Sequence, residues 1–155
     1  MNILKLMIAI VVPLAVGFLG SLVTMPAIDS WYVELAKPAL NPPSWVFGPA
    51  WTALYVLMGV AAFLVWRKGL ESKGVRVALG LFAAQLVLNG IWSFIFFGLQ
   101  NPIVALIDIA VLWILIVFTM IAFYRVSPVA MCLLVPYLLW VSFATYLNAA
   151  IAMLN

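Results

Sequence analysis

The sequence predicts an all-α integral membrane protein, a bundle of five transmembrane helices with a long first loop rich in proline and tryptophan. Hydrophobic residues make up 69% of the 155 residues and charged residues only 7%, whereas a soluble domain carries about 25% charged residues. The mean hydropathy is +1.31. Because a chain of this composition cannot cover a globule with polar surface, its solvent is mostly lipid.

Five apolar segments have the length that a bilayer requires, since a hydrocarbon core of about 30 Å takes roughly 20 helical residues. We predict a single domain of residues 1–155 with spans at about 6–25, 44–66, 75–97, 102–124 and 129–152. The connections are short except for the first, and no repeat or soluble domain is visible.

The basic residues predict the orientation of the bundle. If successive spans alternate in direction, one side of the membrane carries six basic residues: Lys5, Arg67, Lys68, Lys73, Arg76 and Arg125. The opposite side carries only Lys37. The excess of Lys and Arg on cytoplasmic loops therefore places the N-terminus in the cytoplasm and the C-terminus outside.

Composition excludes several classes of function. The chain has no histidine and one cysteine, Cys132, so we expect no disulfide framework, no metal site and no histidine base. The net charge of +3 is too small for a nucleic-acid footprint. No nucleophile with a base, no pair of carboxylates and no phosphate loop is visible, so no conventional enzyme is indicated.

The first loop and the start of the second span read "WYVELAKPALNPPSWVFGPAW", Trp31 to Trp51. Prolines restrict their own φ and the residue before them, so this path is stiff and extended. One interpretation is an aromatic belt at the membrane interface, punctuated by proline. A belt needs no loop of this length, however, and long ordered loops are usually functional. We interpret the loop as a lid over a cavity between helices.

Polar and aromatic residues repeat at helical spacing within the spans. The stripes comprise Gln85, Asn89 and Trp92 in the third span, Trp51 and Tyr55 in the second, and Pro136, Trp140, Ala144 and Asn148 in the fifth. Polar groups in hydrocarbon seek partners inside the bundle, so the stripes are expected to face one another. They are either interhelical hydrogen-bonding groups with aromatic filler or the walls of a pocket for a flat hydrophobic ligand.

Two further features stand out in the spans. Asp108 is the only acidic residue within a span, and its role is either structural hydrogen bonding or contact with a ligand or proton. Gly80 and Ala84 lie four apart on the third span, a small-residue pair that permits close packing of two copies as a homodimer.

The loop pattern Trp31-Tyr32, Leu35, Lys37-Pro38 and Pro42-Pro43, followed by Trp51 and Tyr55, resembles the signature of the TspO/MBR family. This family comprises the tryptophan-rich sensory proteins and the translocator protein, or peripheral-type benzodiazepine receptor. The stretches "AAQLVLNGIWSFIFFG" and "VPYLLWVSFATYLNAAIAMLN" resemble its third and fifth spans. The resemblance implies a five-helix bundle, usually dimeric, with a pocket under the first loop.

The resemblance also implies a function. Members bind porphyrins such as protoporphyrin IX and haem-type tetrapyrroles, and ligands of the benzodiazepine site, and the implied role is a membrane sensor that regulates tetrapyrrole or stress responses. Porphyrin is then a ligand, and no cofactor is obligatory. The implied pocket consists of Tyr32, Pro42, Trp45, Trp51, Asn89, Trp92, Trp140 and Ala144. We add Tyr55, which shares a helix face with Trp51, to this set.

The resemblance leaves alternatives open. One is light-dependent breakdown of porphyrin through Trp51 and Trp140, and another is transport of porphyrin or lipid. Cholesterol recognition through a C-terminal motif is doubtful, because no basic residue follows Tyr146. The absence of charge after the fifth span also favours a bacterial membrane over a mitochondrial one.

Overall fold

A computed structural model of the protein describes residues 2–155, which form a bundle of five long α-helices. Each helix is long and apolar enough to cross a membrane, as the sequence predicted. The helices are α1 (Asn2–Ile28), α2 (Phe47–Trp66), α3 (Lys73–Ser93), α4 (Pro102–Val126) and α5 (Pro128–Leu154). Most helices extend a few residues beyond the predicted spans, because helical hydrogen bonding continues past the last apolar residue into the interface.

The tight connections around α4 are capped by polar side chains. Asn101 Oδ1 accepts a hydrogen bond from the Val104 amide at 3.1 Å, and Ser127 Oγ accepts one from the Ala130 amide at 3.3 Å. Proline follows each cap as the first helical residue, where its missing N–H costs nothing. These caps hold α3, α4 and α5 as sequential neighbours.

The helices form a ring in the order α1, α2, α5, α4, α3, and α3 returns to contact α1. The core between them is mostly apolar, with Met58, Ile116 and Phe123 essentially without exposure. Ala61, Ala105 and Ala130 are completely buried as well. Small residues at these positions let neighbouring helices approach closely, as is typical of membrane bundles.

The crossing point of α1 and α2 lies at Gly59. A Cβ added at Gly59 would lie 2.6 Å from the Ala9 carbonyl oxygen and 2.6 Å from Ile10 Cα, so only glycine permits this approach. Pro13 has no N–H to offer the Ala9 carbonyl, which leaves that oxygen facing the backbone of α2. The two backbones therefore touch at this level of the bundle.

The end of α3 changes to a π-helical turn, Phe94–Gly98, in which the Leu99 amide donates to the Phe94 carbonyl at 2.9 Å. The extra residue per turn rotates consecutive side chains inward, so that Phe96 and Phe97 are both buried. Gln100 then adopts a left-handed conformation with φ of 54° and ends the element. This turn supplies one wall of the cavity described next.

Candidate functional site

A cavity of about 620 Å³ lies between α1, α2, α3 and α5, beneath the loop that joins α1 to α2. Small-molecule sites have volumes of about 300–1,000 Å³ and apolar walls with few polar groups. This cavity fits that description, because most of its lining atoms are apolar and eleven of its lining residues are aromatic. We call the end of the bundle that carries this cavity the loop side.

The wall formed by α2 and α5 is built from aromatic rings at right angles. The indoles of Trp51 and Trp140 meet edge to face, with centroids 6.4 Å apart and an interplanar angle of 88°. Trp51 stacks on Tyr55 at 5.5 Å, and Phe47 meets Trp140 edge to face at 6.2 Å. Such offset and T-shaped pairs are the favourable aromatic geometries, and they give the wall a defined shape.

The wall formed by α3 is held in place by a hydrogen bond. Trp92 stacks on Phe96 with centroids 5.0 Å apart, and its Nε1 donates to Asn148 Oδ1 at 2.9 Å. Asn148 in turn donates to the Pro102 carbonyl at 2.8 Å. The indole of Trp92 is therefore tied to α5 and to the start of α4, which fixes its ring plane.

Below the cavity floor, four polar side chains form a buried chain of hydrogen bonds. The Tyr55 hydroxyl donates to Asn89 Oδ1 at 2.6 Å, and Asn89 Nδ2 donates to the Tyr137 hydroxyl at 2.9 Å. Tyr137 donates to Gln85 Oε1 at 2.7 Å. The Asn89 amide is engaged in these hydrogen bonds and lies behind the Tyr55 ring. Asn89 therefore does not line the cavity, although the sequence analysis placed it in the pocket.

The loop forms a roof that is anchored from inside. Tyr32 is only 4% exposed, packs on Phe97 at 5.7 Å, and donates from its hydroxyl to Asn41 Oδ1 at 2.9 Å. Burial raises the pKa of Tyr32, and the hydrogen bond to Asn41 opposes part of that rise. Lys37 Nζ lies 4.9 Å from the centre of the Tyr32 ring, so a cation covers its outer face.

A second anchor joins the roof to the end of α5. The Ala36 amide donates to Asn155 Oδ1 at 3.1 Å, and Asn155 Nδ2 donates to the Ala36 carbonyl at 2.9 Å. The Asn155 side chain thus pairs with both backbone polar groups of one residue, as a neighbouring strand would. The predicted lid is therefore a fixed roof in this structure.

Seven of the nine residues predicted for the pocket line the cavity: Tyr32, Trp45, Trp51, Tyr55, Trp92, Trp140 and Ala144. The two exceptions are Asn89 and Pro42. Pro42 lies in the extended segment that leads to α2 and does not reach the cavity. The exposure of Trp45 is 74%, which places this ring at the rim.

Five phenylalanines of the lining were not predicted: Phe18, Phe47, Phe96, Phe97 and Phe143. Phe143 lies three residues after Trp140 on one face of α5, so helical spacing alone would have found it. For Phe96 and Phe97 no such signal exists, because the π-helical turn shifts the register of both rings.

The chemistry of the lining is recognition by shape and aromatic faces. Within residues 2–155 no group of His, Cys, Asp or Glu is arranged to hold a metal ion. Asp29, at the rim, is the single acidic residue in the lining. Asp108 lies outside the lining, and its buried Oδ2 finds no hydrogen-bond donor among the described residues.

Comparison with known proteins gives matches over nearly the whole chain. The model of the TspO/MBR family matches residues 9–154. The chain is 52% identical to the tryptophan-rich protein TspO of Chlorobaculum tepidum over 154 residues, which cover 99% of this chain and 98% of that protein. It is 46% identical to the human translocator protein, covering 76% and 70% of the two chains, and 45% identical to the tryptophan-rich sensory protein of Cereibacter sphaeroides, covering 82% and 78%.

Proposed function

The chain belongs to the TspO/MBR family, and from this premise we propose that it binds porphyrins in the cavity beneath the first loop. Family membership and the five apolar helices make it an integral membrane protein with a receptor or sensor role. The finer proposal is that protoporphyrin IX and related tetrapyrroles are its ligands, and that binding regulates tetrapyrrole or stress responses.

One observation carries this proposal: two stacked pairs of aromatic rings line the cavity, and a planar ligand would stack on the outer face of each pair. Trp51 and Tyr55 form one with an interplanar angle of 28°, and Trp92 and Phe96 form the other with an angle of 22°. A planar conjugated ligand gains from each such surface about 0.5–1.5 kcal/mol beyond simple burial. The same surfaces suit the aromatic ring systems of benzodiazepine-site ligands.

The location of the site follows from the charge distribution. The proposed orientation has the basic side of the bundle in the cytoplasm of a bacterial cell and the loop side outside. The ligand would then be held in the half of the membrane that faces away from the cytoplasm.

A second candidate function is light-dependent breakdown of the bound porphyrin, favoured by the contact of Trp51 with Trp140 at the cavity wall. A porphyrin excited by light can pass its energy to dioxygen, and the oxygen molecule so activated can add across a carbon–carbon bond of the macrocycle and cleave it, with both oxygen atoms ending in the product. The two indoles are the most easily oxidised groups of the lining beside such a reaction. Replacing both tryptophans by phenylalanine and following porphyrin loss under light separates this reaction from binding alone.

Binding is tested by quenching of tryptophan fluorescence with protoporphyrin IX in the dark. We expect saturable quenching, with affinity weakened about 3- to 10-fold in Trp140→Phe because the ring contacts of the indole are worth about 0.5–1.5 kcal/mol. Trp113→Phe is the matched control, since each variant lacks one of seven tryptophans. Trp113 does not line the cavity and donates instead to Ser142 on the outer surface.

Linear quenching that is identical in the wild type and both variants would show partitioning into detergent. That result would remove the porphyrin proposal and leave only the receptor or sensor role that family membership supports.

A further inference from the structure

The exposed lining residues of the cavity lie on one flank, along α1 and α2 and in the segment that joins them. Its exposed lining residues belong to the second half of α1, the segment just after it, and the start of α2; among them are Phe18 (64% exposed), Met25 (67%) and Trp45 (74%). Gly48 and Thr52, on α2, are exposed as well. By contrast, every lining residue from α3, its π-helical turn and α5 is buried or half-buried.

The helix crossing explains why the opening lies there. The backbones of α1 and α2 touch at Gly59, and one turn further toward the loop side the Tyr55 ring fills the space against Gly17. Beyond Gly17, toward the loop, exposed side chains border the space between the two helices. They are Phe18 and Met25 on α1 and Thr52 on α2. The gap that begins there is a slot, which we define as the space between Phe18–Met25 of α1 and Gly48–Thr52 of α2.

The slot faces lipid over most of its length. Phe18 lies ten residues before Ile28, the last residue of α1, which is about 15 Å along the helix at about 1.5 Å per residue. About 15 Å is half of the hydrocarbon thickness of a bilayer. The charged residue of the rim, Asp29, lies at the loop end of the slot. The hydroxyls within the slot, those of Ser21, Thr24 and Thr52, donate to backbone carbonyls of their own helices.

The route from water is obstructed by the roof. Tyr32 is buried against the π-helical turn, and Asn155 holds Ala36 by two hydrogen bonds. Opening the roof would break these contacts together and expose a buried tyrosine. The slot needs no such rearrangement, since its flanking side chains already contact the surroundings of the protein.

We propose that the ligand enters the cavity sideways from the bilayer, through the slot between α1 and α2, after partitioning into the membrane on the loop side. The accepted ligands are therefore compounds that dissolve in hydrocarbon and are thin enough to pass between two helices. The identity of the ligand rests on the proposed function, whereas the route rests on the geometry of the slot alone.

The experiment blocks the slot and measures how fast a reagent reaches a thiol inside the cavity. The reagent reacts with the thiol whether or not it binds to the cavity walls. A thiol is placed in the cavity by Ala144→Cys in a Cys132→Ser background, because Cys132 is the single native cysteine and is exposed on α5. In lipid vesicles the thiol is labelled either by pyrene maleimide, which partitions into the bilayer, or by a sulfonated maleimide, which stays in water.

Gly48→Leu blocks the slot, and Gly74→Leu is its matched control. Both glycines are the second residue of a helix, and a Cβ at either meets no atom closer than 3.7 Å, so neither substitution creates a clash. Gly74 lies at the start of α3, outside the cavity lining. Thr52→Phe is a second blocking variant on the same rim, should Gly48→Leu fold poorly.

We expect pyrene maleimide to label the cavity thiol at least fivefold faster than the sulfonated reagent. Gly48→Leu and Thr52→Phe should slow the pyrene reagent at least fivefold, and Gly74→Leu should leave its rate unchanged. Equal pyrene labelling in the blocking and control variants would overturn the proposed route, as would faster labelling by the sulfonated reagent.

The same variants separate route from function when protoporphyrin IX is the probe. A blocked slot slows both association and dissociation of the porphyrin, so the two rates report on the route, whereas saturable binding by the wild type reports on the function. If the protein binds no porphyrin while labelling still depends on the slot, the proposed function fails and the route stands. If porphyrin binds and labelling ignores the slot, the route fails and the function stands.

Discussion

At the scale of single residues, one amide connects three helices. Asn89 of α3 accepts from Tyr55 of α2 and donates to Tyr137 of α5, and all three side chains are buried. A neutral hydrogen bond inside a membrane bundle contributes about 0.6–2 kcal/mol, but a buried polar group that loses its partner costs about 1–3 kcal/mol. The importance of Asn89 therefore lies mainly in what its removal leaves unpaired.

Asn89→Leu should lower the free energy of unfolding by about 1–3 kcal/mol, because the Tyr55 hydroxyl then has no acceptor. Tyr55→Phe alone should cost about 1 kcal/mol. The double variant should be less destabilised than the sum of the two, since it removes both partners at once. SDS titration of the ligand-free protein measures the free energy of unfolding of the wild type, the two single variants and the double variant. If the losses of the two single variants simply add up to that of the double variant, the hydrogen bond contributes nothing.

The sequence was informative at this scale wherever helical spacing decides the outcome. Gln85 and Asn89 lie four apart and share a buried face, and Trp92 joins them on α3, as predicted. Whether a residue on that face lines the cavity or lies behind another ring depends on the partner helix. Spacing within α3 carries no information on the position of the Tyr55 ring, behind which Asn89 lies outside the cavity lining.

At the scale of elements, the first loop is ordered by contacts that are distant in sequence. Asn155 lies 119 residues from Ala36, and no local pattern connects them. The prolines around Pro42 did predict a stiff path, but a stiff segment still has a direction that only its anchors determine. The sequence therefore indicated a structured loop, whereas its fixed attachment to α5 and the position of Pro42 outside the cavity required the folded chain.

Asn155→Ala should loosen the roof without unfolding the bundle. The substitution removes both hydrogen bonds to Ala36, each worth about 0.5–1.5 kcal/mol, so amide exchange at Ala36 should accelerate about 5- to 100-fold. Asn101→Ala, which removes a helix cap at the α3–α4 turn on the same side, is the control. Hydrogen exchange followed by mass spectrometry measures both, and unchanged exchange across the loop in Asn155→Ala would refute the anchoring role.

At the scale of the whole molecule, the lipid-facing surface of α3 carries a pair of small residues. Gly80 and Ala84 are both exposed on one face, and a Cβ at Gly80 would meet no atom within 4 Å. Small residues at this spacing permit two helices from separate copies to approach closely. We propose that two copies of the protein associate through this face as a homodimer.

Gly80→Leu should reduce dimerisation at least tenfold while leaving the fold of each copy intact, because the new side chain projects into open space. Gly74→Leu carries the same change on the same helix, six residues before Gly80, and should dimerise normally. Sedimentation in detergent, or counting of labelled copies in vesicles, gives the dimer fraction. An undiminished dimer in Gly80→Leu would place the interface elsewhere.

The touching backbones at Gly59 give the bundle a mechanical property. Gly48 lies eleven residues before Gly59, so α2 extends about 16 Å from this contact to its loop-side end. If α2 rotated about this contact, an angle of about 5° would move its loop-side end by about 1.4 Å, given a rise of about 1.5 Å per residue. A rotation that is small at the two touching backbones would thus change the width of the slot by about one covalent bond length, because the slot lies at the far end of the same helix.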